Sequence, residues 1–146
     1  MNPEFHAQEI PPFPQIPAGT NVVAIGIDLD SVNRVRKAIE RHETAFLEKV
    51  FTAEETALCK SRGNAQWASC AARWAAKEAF SKALGTGIGA EFAMTDAGVI
   101  NDERGAPAFT LSARAQTALR ERGASRALLS LSHTNDTAAA IVVFLA

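Results

Sequence analysis

Two acidic residues and a lysine have residue types and spacing suited to phosphate chemistry. Asp28 lies in the apolar run Val22–Leu29, and Glu78 and Lys82 stand four residues apart in a run, 66–84, that lacks Gly and Pro. An ionised Asp in an apolar strand needs a partner, and the spacing fits a helix cap and a metal ligand equally well. Oxygen ligands without His or Cys suit Mg²⁺, whose shell is completed by water and substrate phosphates. Lys82, one turn beyond Glu78, could reach the same phosphates.

A glycine-rich loop follows directly, with the sequence Gly85-Thr86-Gly87-Ile88-Gly89. Glycines leave backbone N–H groups open to a diphosphate, and Gly85 can end the preceding helix at a positive φ. The loop follows a helix and so lacks the N-terminal dipole of a P-loop, which makes it a weak signal by itself. Arg73 and Lys77 form a like-charged i,i+4 pair in that helix, and such a pair predicts an anion nearby.

The elements that must position these groups can be read from the apolar pattern. Helix formers fill 66–84, and five alanines form a narrow stripe that favours close packing on a sheet or another helix. The stripe consists of Ala72, Ala75, Ala76, Ala79 and Ala83. The run 22–29 predicts a buried strand, and apolar spacing predicts a helix from Ser31 to about Val50, broken near His42.

The rest of the chain adds short elements. Thr52-Ala53-Glu54-Glu55 is a capping box with a structural role. Val99–Ile100 predicts a strand, and Ser112 caps a helix that runs through Arg122 and is ended by Gly123. Two later runs, 127–133 and 137–145, predict a hairpin.

Bulk properties fit one domain. The chain has 146 residues, 47% of them hydrophobic, and a net charge of −1, so nothing global indicates nucleic acid or an anionic membrane as partner. No apolar run has membrane length and no signal peptide is recognisable, so a cytoplasmic protein with two reduced, buried cysteines is expected. Residues 1–20 hold five of the six prolines and are predicted to be a flexible tail before a domain at 21–146.

The stretch Trp74–Gly89, WAAKEAFSKALGTGIG, closely resembles the signature of the holo-(acyl-carrier-protein) synthases, small 4′-phosphopantetheinyl transferases. Ile25–Leu29, Asn101–Pro107 and Ser130–His133 resemble further motifs of that family in the same order. The resemblance covers about residues 22–145. It implies an α+β fold in which a bent antiparallel sheet packs on a long helix.

The resemblance also implies a reaction, in which 4′-phosphopantetheine moves from coenzyme A to a serine of an apo-acyl carrier protein. A carrier of fatty acid biosynthesis and a carrier of secondary metabolism fit the sequence equally well. Asp28 and Glu78 would hold Mg²⁺ and, with Lys82, form the catalytic set, which makes Asp30 the cap of the next helix. A homotrimer with sites between subunits is implied, and Arg34, Arg41 and Lys49 would dock the carrier. The residues implied to contact coenzyme A are Arg73, Lys77, Lys82, Gly85, Thr86, Gly87, Asn101, Ser132 and His133.

Alternative interpretations remain open at this stage. A non-catalytic module that binds coenzyme A or a nucleotide would not need both Asp28 and Glu78. Another magnesium-dependent phosphotransferase would be expected to carry a P-loop or a kinase motif, and the sequence has neither. The basic residues of the helix after Ser31 also fit a plain solvated face. The sequence leaves the general base undecided among Glu78, Asp28 and a metal-bound water.

Overall fold

A computed structural model describes residues 21–146. The predicted tail at 1–20, and with it the predicted domain boundary, lies outside the described residues. Four α-helices and five strands are described, and short 3₁₀ turns lie at Gly63–Ala65 and Met94–Asp96. In chain order the elements are β1 (Val22–Ser31), α1 (Val32–Val50), α2 (Ala53–Lys60), α3 (Gln66–Leu84), β2 (Ala97–Asn101), β3 (Pro107–Leu111), α4 (Ala113–Glu121), β4 (Arg126–His133) and β5 (Thr137–Leu145).

The helix α3 packs on a three-stranded antiparallel sheet with the strand order β1-β5-β4. Its five predicted stripe alanines are all buried, which lets the backbones of helix and sheet approach closely. Phe80 of α3 is fully buried and contacts the rings of Phe92, Phe109 and Phe144. The strands β2 and β3 pair separately as a hairpin. The α+β class and the packing of a long helix on an antiparallel sheet are confirmed, with the strands divided between two sheets.

The closest approach of helix and sheet occurs at Gly26 in β1. A Cβ atom built at this position would lie 1.8 Å from the carbonyl oxygen of Ala79. We expect Gly26→Ala to lower the free energy of unfolding by about 1–3 kcal/mol or more, because the strand must move off the helix. Urea denaturation measures the loss. Gly89→Ala is the control, since a Cβ there meets nothing within 4 Å; equal midpoints for the two variants would contradict the prediction.

The helix ends follow local chemistry, with one correction. Ser31, rather than Asp30, caps α1, because its hydroxyl accepts from the backbone N–H of Arg34. The prediction that Asp30 is the cap is therefore wrong. The predicted break in α1 is confirmed at Glu43, whose φ is 40°, and the capping box of Thr52 and Glu55 is formed. Gly85 ends α3 in the left-handed conformation at φ 80°.

Two predictions from the bulk properties concern cysteines and membranes. Cys59 and Cys70 are both buried and free, as expected for reduced thiols. In residues 21–146, no helix combines the length and the apolar character that crossing a bilayer requires.

Candidate active site

A cleft of about 450 Å³ lies between β1, α1 and the middle of α3. Its acidic groups and its lysine come from the strand and from one face of the long helix, while α1 closes the other side with Arg34 and apolar residues. The lining residues are Asp28, Leu29, Asp30, Arg34, Val35, Ala38, Phe46, Trp74, Glu78 and Lys82. The fold thus brings Asp28, Glu78 and Lys82 into one cleft, although Asp28 and Glu78 are fifty residues apart in the sequence.

Lys82 and Asp28 are in direct contact. The Lys82 ammonium donates to Oδ1 of Asp28 at 2.8 Å and to the carbonyl of Ile27 at 3.1 Å. The hydrogen bond to Asp28 raises the pKa of Lys82, so the lysine stays charged. Its side chain is otherwise exposed to solvent. A cation that is held at the cleft mouth and exposed can also contact an incoming phosphate.

Two further carboxyl groups lie close to this pair. Burial raises the pKa of Glu78, and the charge of Asp28 adds to the effect. Burial also raises the pKa of Asp30, to about 8, and its hydrogen bond to Asp28 and the charges of Asp28 and Glu78 act in the same direction. Arg34 opposes the rise only in part. The cleft therefore concentrates three acidic groups and penalises their simultaneous ionisation.

The sequence prediction missed Asp30 as a cleft residue. Alternate residues of a strand point to the same face, so Asp28 and Asp30 necessarily share one. That signal was present in the pattern Asp-Leu-Asp. Its meaning depended on which face of β1 packs on α3, and only the tertiary structure supplies that information.

The carboxylate oxygens of the cleft fit a divalent cation. Oδ2 of Asp28 and Oδ2 of Asp30 are buried, and neither has a hydrogen-bond partner. A buried carboxylate oxygen without a donor is costly unless a cation or a proton compensates it. Within residues 21–146, no three His, Cys, Asp or Glu side chains already form a set that could hold an ion. This incomplete all-oxygen set is typical of Mg²⁺, which keeps several waters and takes ligands from substrate phosphates.

The glycine-rich loop begins one turn beyond Lys82. Gly85 and Gly87 have φ values of 80° and 70°, and the loop from Gly85 to Ala90 is exposed. A Cβ atom at Gly85, Gly87 or Gly89 would meet nothing within 4 Å. The Thr86 hydroxyl donates to the carbonyl of Gly87 at 3.1 Å. The loop is thus open to a ligand, and the predicted coenzyme contacts of Gly85, Thr86 and Gly87 stay predictions.

The two cations of the like-charged pair point into the protein. Lys77 is 0% exposed and donates to Oε1 of Glu55 at 2.6 Å and to the carbonyls of Met94 and Ala97. All three ammonium donors are used within the chain, which leaves none for a coenzyme phosphate in this arrangement, and the predicted contact of Lys77 with the coenzyme stays a prediction. The like-charged pair of Arg73 and Lys77 led us to expect an anion nearby, and for Lys77 that anion is Glu55. Glu55 is 1% exposed and also accepts from the backbone N–H of Val99 at 3.0 Å.

Arg73 and Asn101 are joined to each other. Arg73 is buried and donates to Ser69 Oγ at 2.7 Å and to Oδ1 of Asn101 at 2.9 Å. The Asn101 amide nitrogen donates in turn to the carbonyl of Gly105. These contacts fix the β2–β3 turn to α3. Contacts of Arg73 and Asn101 with coenzyme A stay predictions, and in this chain both residues have a structural role.

Ser132 and His133 are exposed at the end of β4 and do not line the cleft. In the sheet register His133 lies opposite Ala138, which lies opposite Asp30. Two strand spacings place His133 about 10 Å from Asp30. Ser132 alternates to the other face of the sheet. Neither residue meets the acidic groups within the chain, and the prediction that His133 acts from a neighbouring subunit stays a prediction.

A basic groove adjoins the cleft along α1. The groove has a volume of about 380 Å³ and is lined by Ser31, Asn33, Arg34, Lys37, Ala38, Arg41 and His42. Arg34 lines both the groove and the cleft, so the two surfaces are continuous. Lys49 follows the break at Glu43 and does not line the groove. Of the predicted docking residues, Arg34 and Arg41 are brought together and Lys49 is not.

The chain is similar to one family by sequence. A family model described as the 4′-phosphopantetheinyl transferase superfamily matches residues 24–142. A holo-(acyl-carrier-protein) synthase of Trichlorobacter lovleyi is 42% identical over 123 residues, which cover 84% of this chain and 96% of that relative. A holo-(acyl-carrier-protein) synthase of Ruminiclostridium cellulolyticum is 41% identical over 119 residues, which cover 82% of this chain and 89% of that relative.

Solved structures give the same likeness in three dimensions. The holo-(acyl-carrier-protein) synthase of Neisseria meningitidis superposes with a TM-score of 0.78 at 35% identity, covering 85% of this chain and 98% of its own. The Helicobacter pylori synthase, solved in complex with coenzyme A, gives a TM-score of 0.72 at 34% identity. The match covers 84% of this chain and 99% of the Helicobacter pylori chain. The similarity therefore extends over nearly the whole length of these relatives.

Proposed function

This chain belongs to the 4′-phosphopantetheinyl transferase superfamily, and we propose that it acts as a holo-(acyl-carrier-protein) synthase. The serine hydroxyl of an apo-acyl carrier protein gives up its proton to a base, for which Asp28 and Glu78 are the candidates within this chain, and attacks the β-phosphorus of coenzyme A. The bond from that phosphorus to the bridging oxygen breaks, and adenosine 3′,5′-bisphosphate leaves. The observation that carries the proposal is the convergence of Asp28, Glu78 and Lys82 in one cleft beside an open glycine loop. A module that only bound the coenzyme would not need the acidic pair.

The chain's own residues position the reactants and neutralise charge, which supply most of the catalysis in phosphoryl transfer. Lys82 is held by Asp28 at the cleft mouth, where its remaining donor capacity can meet a diphosphate oxygen. Gly87 presents its backbone N–H with no side chain in the way, whereas the N–H of Gly85 donates to the carbonyls of Ser81 and Lys82 and ends the helix. Stacked rings of Phe46 and Trp74, 5.1 Å apart, form an apolar wall that limits water in the cleft.

Asp28 and Glu78 are the residues that would hold Mg²⁺. When bound, the ion would supply charge neutralisation of the coenzyme diphosphate and of the leaving group. The unpartnered Oδ2 of Asp28 supports this assignment, because a buried carboxylate oxygen requires compensation.

The decisive experiment is mass spectrometry of an apo-acyl carrier protein incubated with this protein, coenzyme A and Mg²⁺, with and without chelator. A metal-dependent gain of one phosphopantetheine on the carrier is the expected result. Clear binding of coenzyme A without transfer to several carriers would contradict the proposal and favour a binding module.

The partner we propose is a cytoplasmic acyl carrier protein of fatty acid biosynthesis, recognised by the basic groove on α1. Arg34 and Arg41 line it with Lys37, and an acidic surface would be steered toward the adjoining cleft. We expect the double variant Arg34→Glu/Arg41→Glu to raise the KM for the carrier by about tenfold or more with a smaller change in kcat. Steady-state kinetics at two salt concentrations measures both effects.

Arg120→Glu is the matched control, because it reverses an exposed arginine on α4, away from the groove. An unchanged KM and salt dependence in the double variant would assign this face of α1 to plain solvent exposure.

We also propose that the protein assembles as a homotrimer through the outer face of the three-stranded sheet. The residues that alternate with Asp28 on β1 are apolar and exposed, with Leu29 at 66% and Ile25 and Ile27 beside it. Ile141 of β5 extends the same apolar surface. A contiguous exposed apolar patch is typical of an interface.

The test of the homotrimer is the mass of the protein in solution. Analytical ultracentrifugation should give three times the monomer mass, and Ile27→Glu should abolish the assembly. A monomeric wild-type protein would contradict the proposal.

A further inference from the structure

The glycine-rich loop is held at its two ends. Residues 86–91 are exposed and form neither helix nor strand. One end is fixed by Gly85, which terminates α3. Beyond the other end Phe92 is fully buried and stacks on Phe80, and its carbonyl accepts from the N–H of Gly89 at 2.8 Å. The conformation of the stretch between these ends therefore depends on few contacts.

Asp96, in the turn before β2, collects several donors close to the second end of the loop. Its Oδ2 accepts from the N–H of Ala93 at 2.8 Å, and its Oδ1 accepts from the hydroxyl of Ser112 at 2.8 Å. The Arg114 guanidinium donates to Oδ2 through Nε at 2.9 Å and through Nη2 at 2.5 Å. Burial would raise the pKa of Asp96, but these hydrogen bonds lower it, so the carboxylate stays ionised. Asp96 thus fixes the plane of the Arg114 guanidinium.

Arg114, in the first turn of α4, uses its remaining nitrogen on the loop. Its Nη1 donates to the carbonyl of Ala90 at 3.2 Å. Among the hydrogen bonds of residues 21–146, this is the only one that joins residues 86–91 to a side chain outside the loop. A guanidinium carries its donors in one rigid plane, so a carboxylate on one edge determines where the other edge points. The ion pair with Asp96 therefore directs Arg114 at the loop.

We propose that Arg114 is a positioning residue, which holds the glycine-rich loop in the conformation that accepts the coenzyme diphosphate. The proposal rests on the proposed function, since its ligand is the coenzyme of the same site. Arg114 does not line the cleft and acts through the backbone of Ala90. The loop begins one turn beyond Lys82, so its conformation sets where the open N–H of Gly87 lies relative to the Lys82 ammonium.

Loss of this tether should weaken coenzyme binding more than any other step. A ligand that binds one conformation of a loop loses apparent affinity in proportion to the fraction of protein in that conformation. If the untethered loop holds the binding conformation about one tenth of the time, the Kd for coenzyme A rises about tenfold. The basic groove on α1 contains no loop residue, so the KM for the carrier should change much less.

The test is isothermal titration calorimetry of coenzyme A with Mg²⁺ on the full-length protein, together with steady-state kinetics of carrier loading. We expect Arg114→Gln to raise the Kd and the KM for coenzyme A by about tenfold, with a smaller change in kcat. Arg120→Gln is the matched control, because it neutralises another exposed arginine of α4, one that donates no hydrogen bond to the loop among the described residues. It should bind coenzyme A as the wild type does.

Arg114→Lys separates positioning of the loop from stability of the fold. A lysine keeps a charge for Asp96, but its single ammonium lacks the planar fork that spans the carboxylate and the carbonyl of Ala90. This variant should therefore recover the unfolding midpoint that Arg114→Gln loses, while its Kd for coenzyme A stays raised.

Two results would overturn the proposal. One is a Kd for coenzyme A that Arg114→Gln leaves unchanged. The other is full recovery of both the Kd and the unfolding midpoint in Arg114→Lys, because the pair with Asp96 would then suffice without the contact to the loop. Failure of the proposed function is separately visible, since the wild-type protein would then bind coenzyme A without loading any carrier, and the comparison of Kd values would still decide the role of Arg114.

Discussion

Glu78→Gln is expected to lower kcat for carrier loading by about 10³-fold, equivalent to roughly 4 kcal/mol of transition-state stabilisation. The amide keeps the size of the side chain and can still accept a hydrogen bond, but it removes the negative charge that a magnesium ligand requires. Burial and the neighbouring Asp28 already disfavour the ionised form of Glu78, so the fold should tolerate the neutral amide.

The measurement is single-turnover transfer at saturating Mg²⁺, with the unfolding midpoint determined in parallel. Glu121→Gln is the control, because it neutralises an exposed glutamate at the end of α4. Turnover like that of the wild type would remove Glu78 from the metal site. A lower unfolding midpoint together with lost activity would instead point to a structural role.

Lys77→Met is expected to lower the free energy of unfolding by about 3–5 kcal/mol, because it leaves Glu55 as an unpaired buried charge. Glu55 links three elements: it closes the capping box of α2, pairs with Lys77 of α3 and accepts from Val99 of β2. Losing its counter-ion therefore weakens the contacts on the inner side of α3. Glu78 lies next to Lys77, so we also expect activity to fall in the fraction that remains folded.

The double variant Lys77→Met/Glu55→Gln separates the charge effect from packing. Because no buried charge remains, it should recover part of the lost stability. Urea denaturation measures both variants, and Lys60→Met, at the exposed end of α2, is the control. If Lys77→Met were as stable as the wild type, the buried ion pair would contribute nothing to folding.

Local sequence determined the elements of this fold because their signals are local. The helix α3 has the predicted bounds, since strong helix formers fill it and Gly85 supplies the left-handed end. Ser112 and the Thr52–Glu55 capping box begin α4 and α2 as predicted. The signature around Glu78 and Lys82 was sufficient to recognise the family, because it is long and its order is specific.

The tertiary structure alone decided which charged residues face the cleft. Lys77 and Lys82 lie five residues apart on one helix, which turns them about 140° from each other. Periodicity gives that angle, but it does not say which direction is the core. The partner of Lys77 is Glu55, 22 residues away in sequence, and the packing of α2 against α3 brings it there.

Asp30 shows the same limit from the strand. The alternation of side chains along a strand puts Asp30 on the same face as Asp28. It does not say whether Asp30 caps α1 or lines the cleft, because that depends on how α3 packs on β1. The sequence by itself thus determined the elements, the family and the identity of Asp28, Glu78 and Lys82 as a set. The direction of each charge, inward to an ion pair or outward to a ligand, depended on long-range packing, because burial is a property of the assembled elements and not of the residue.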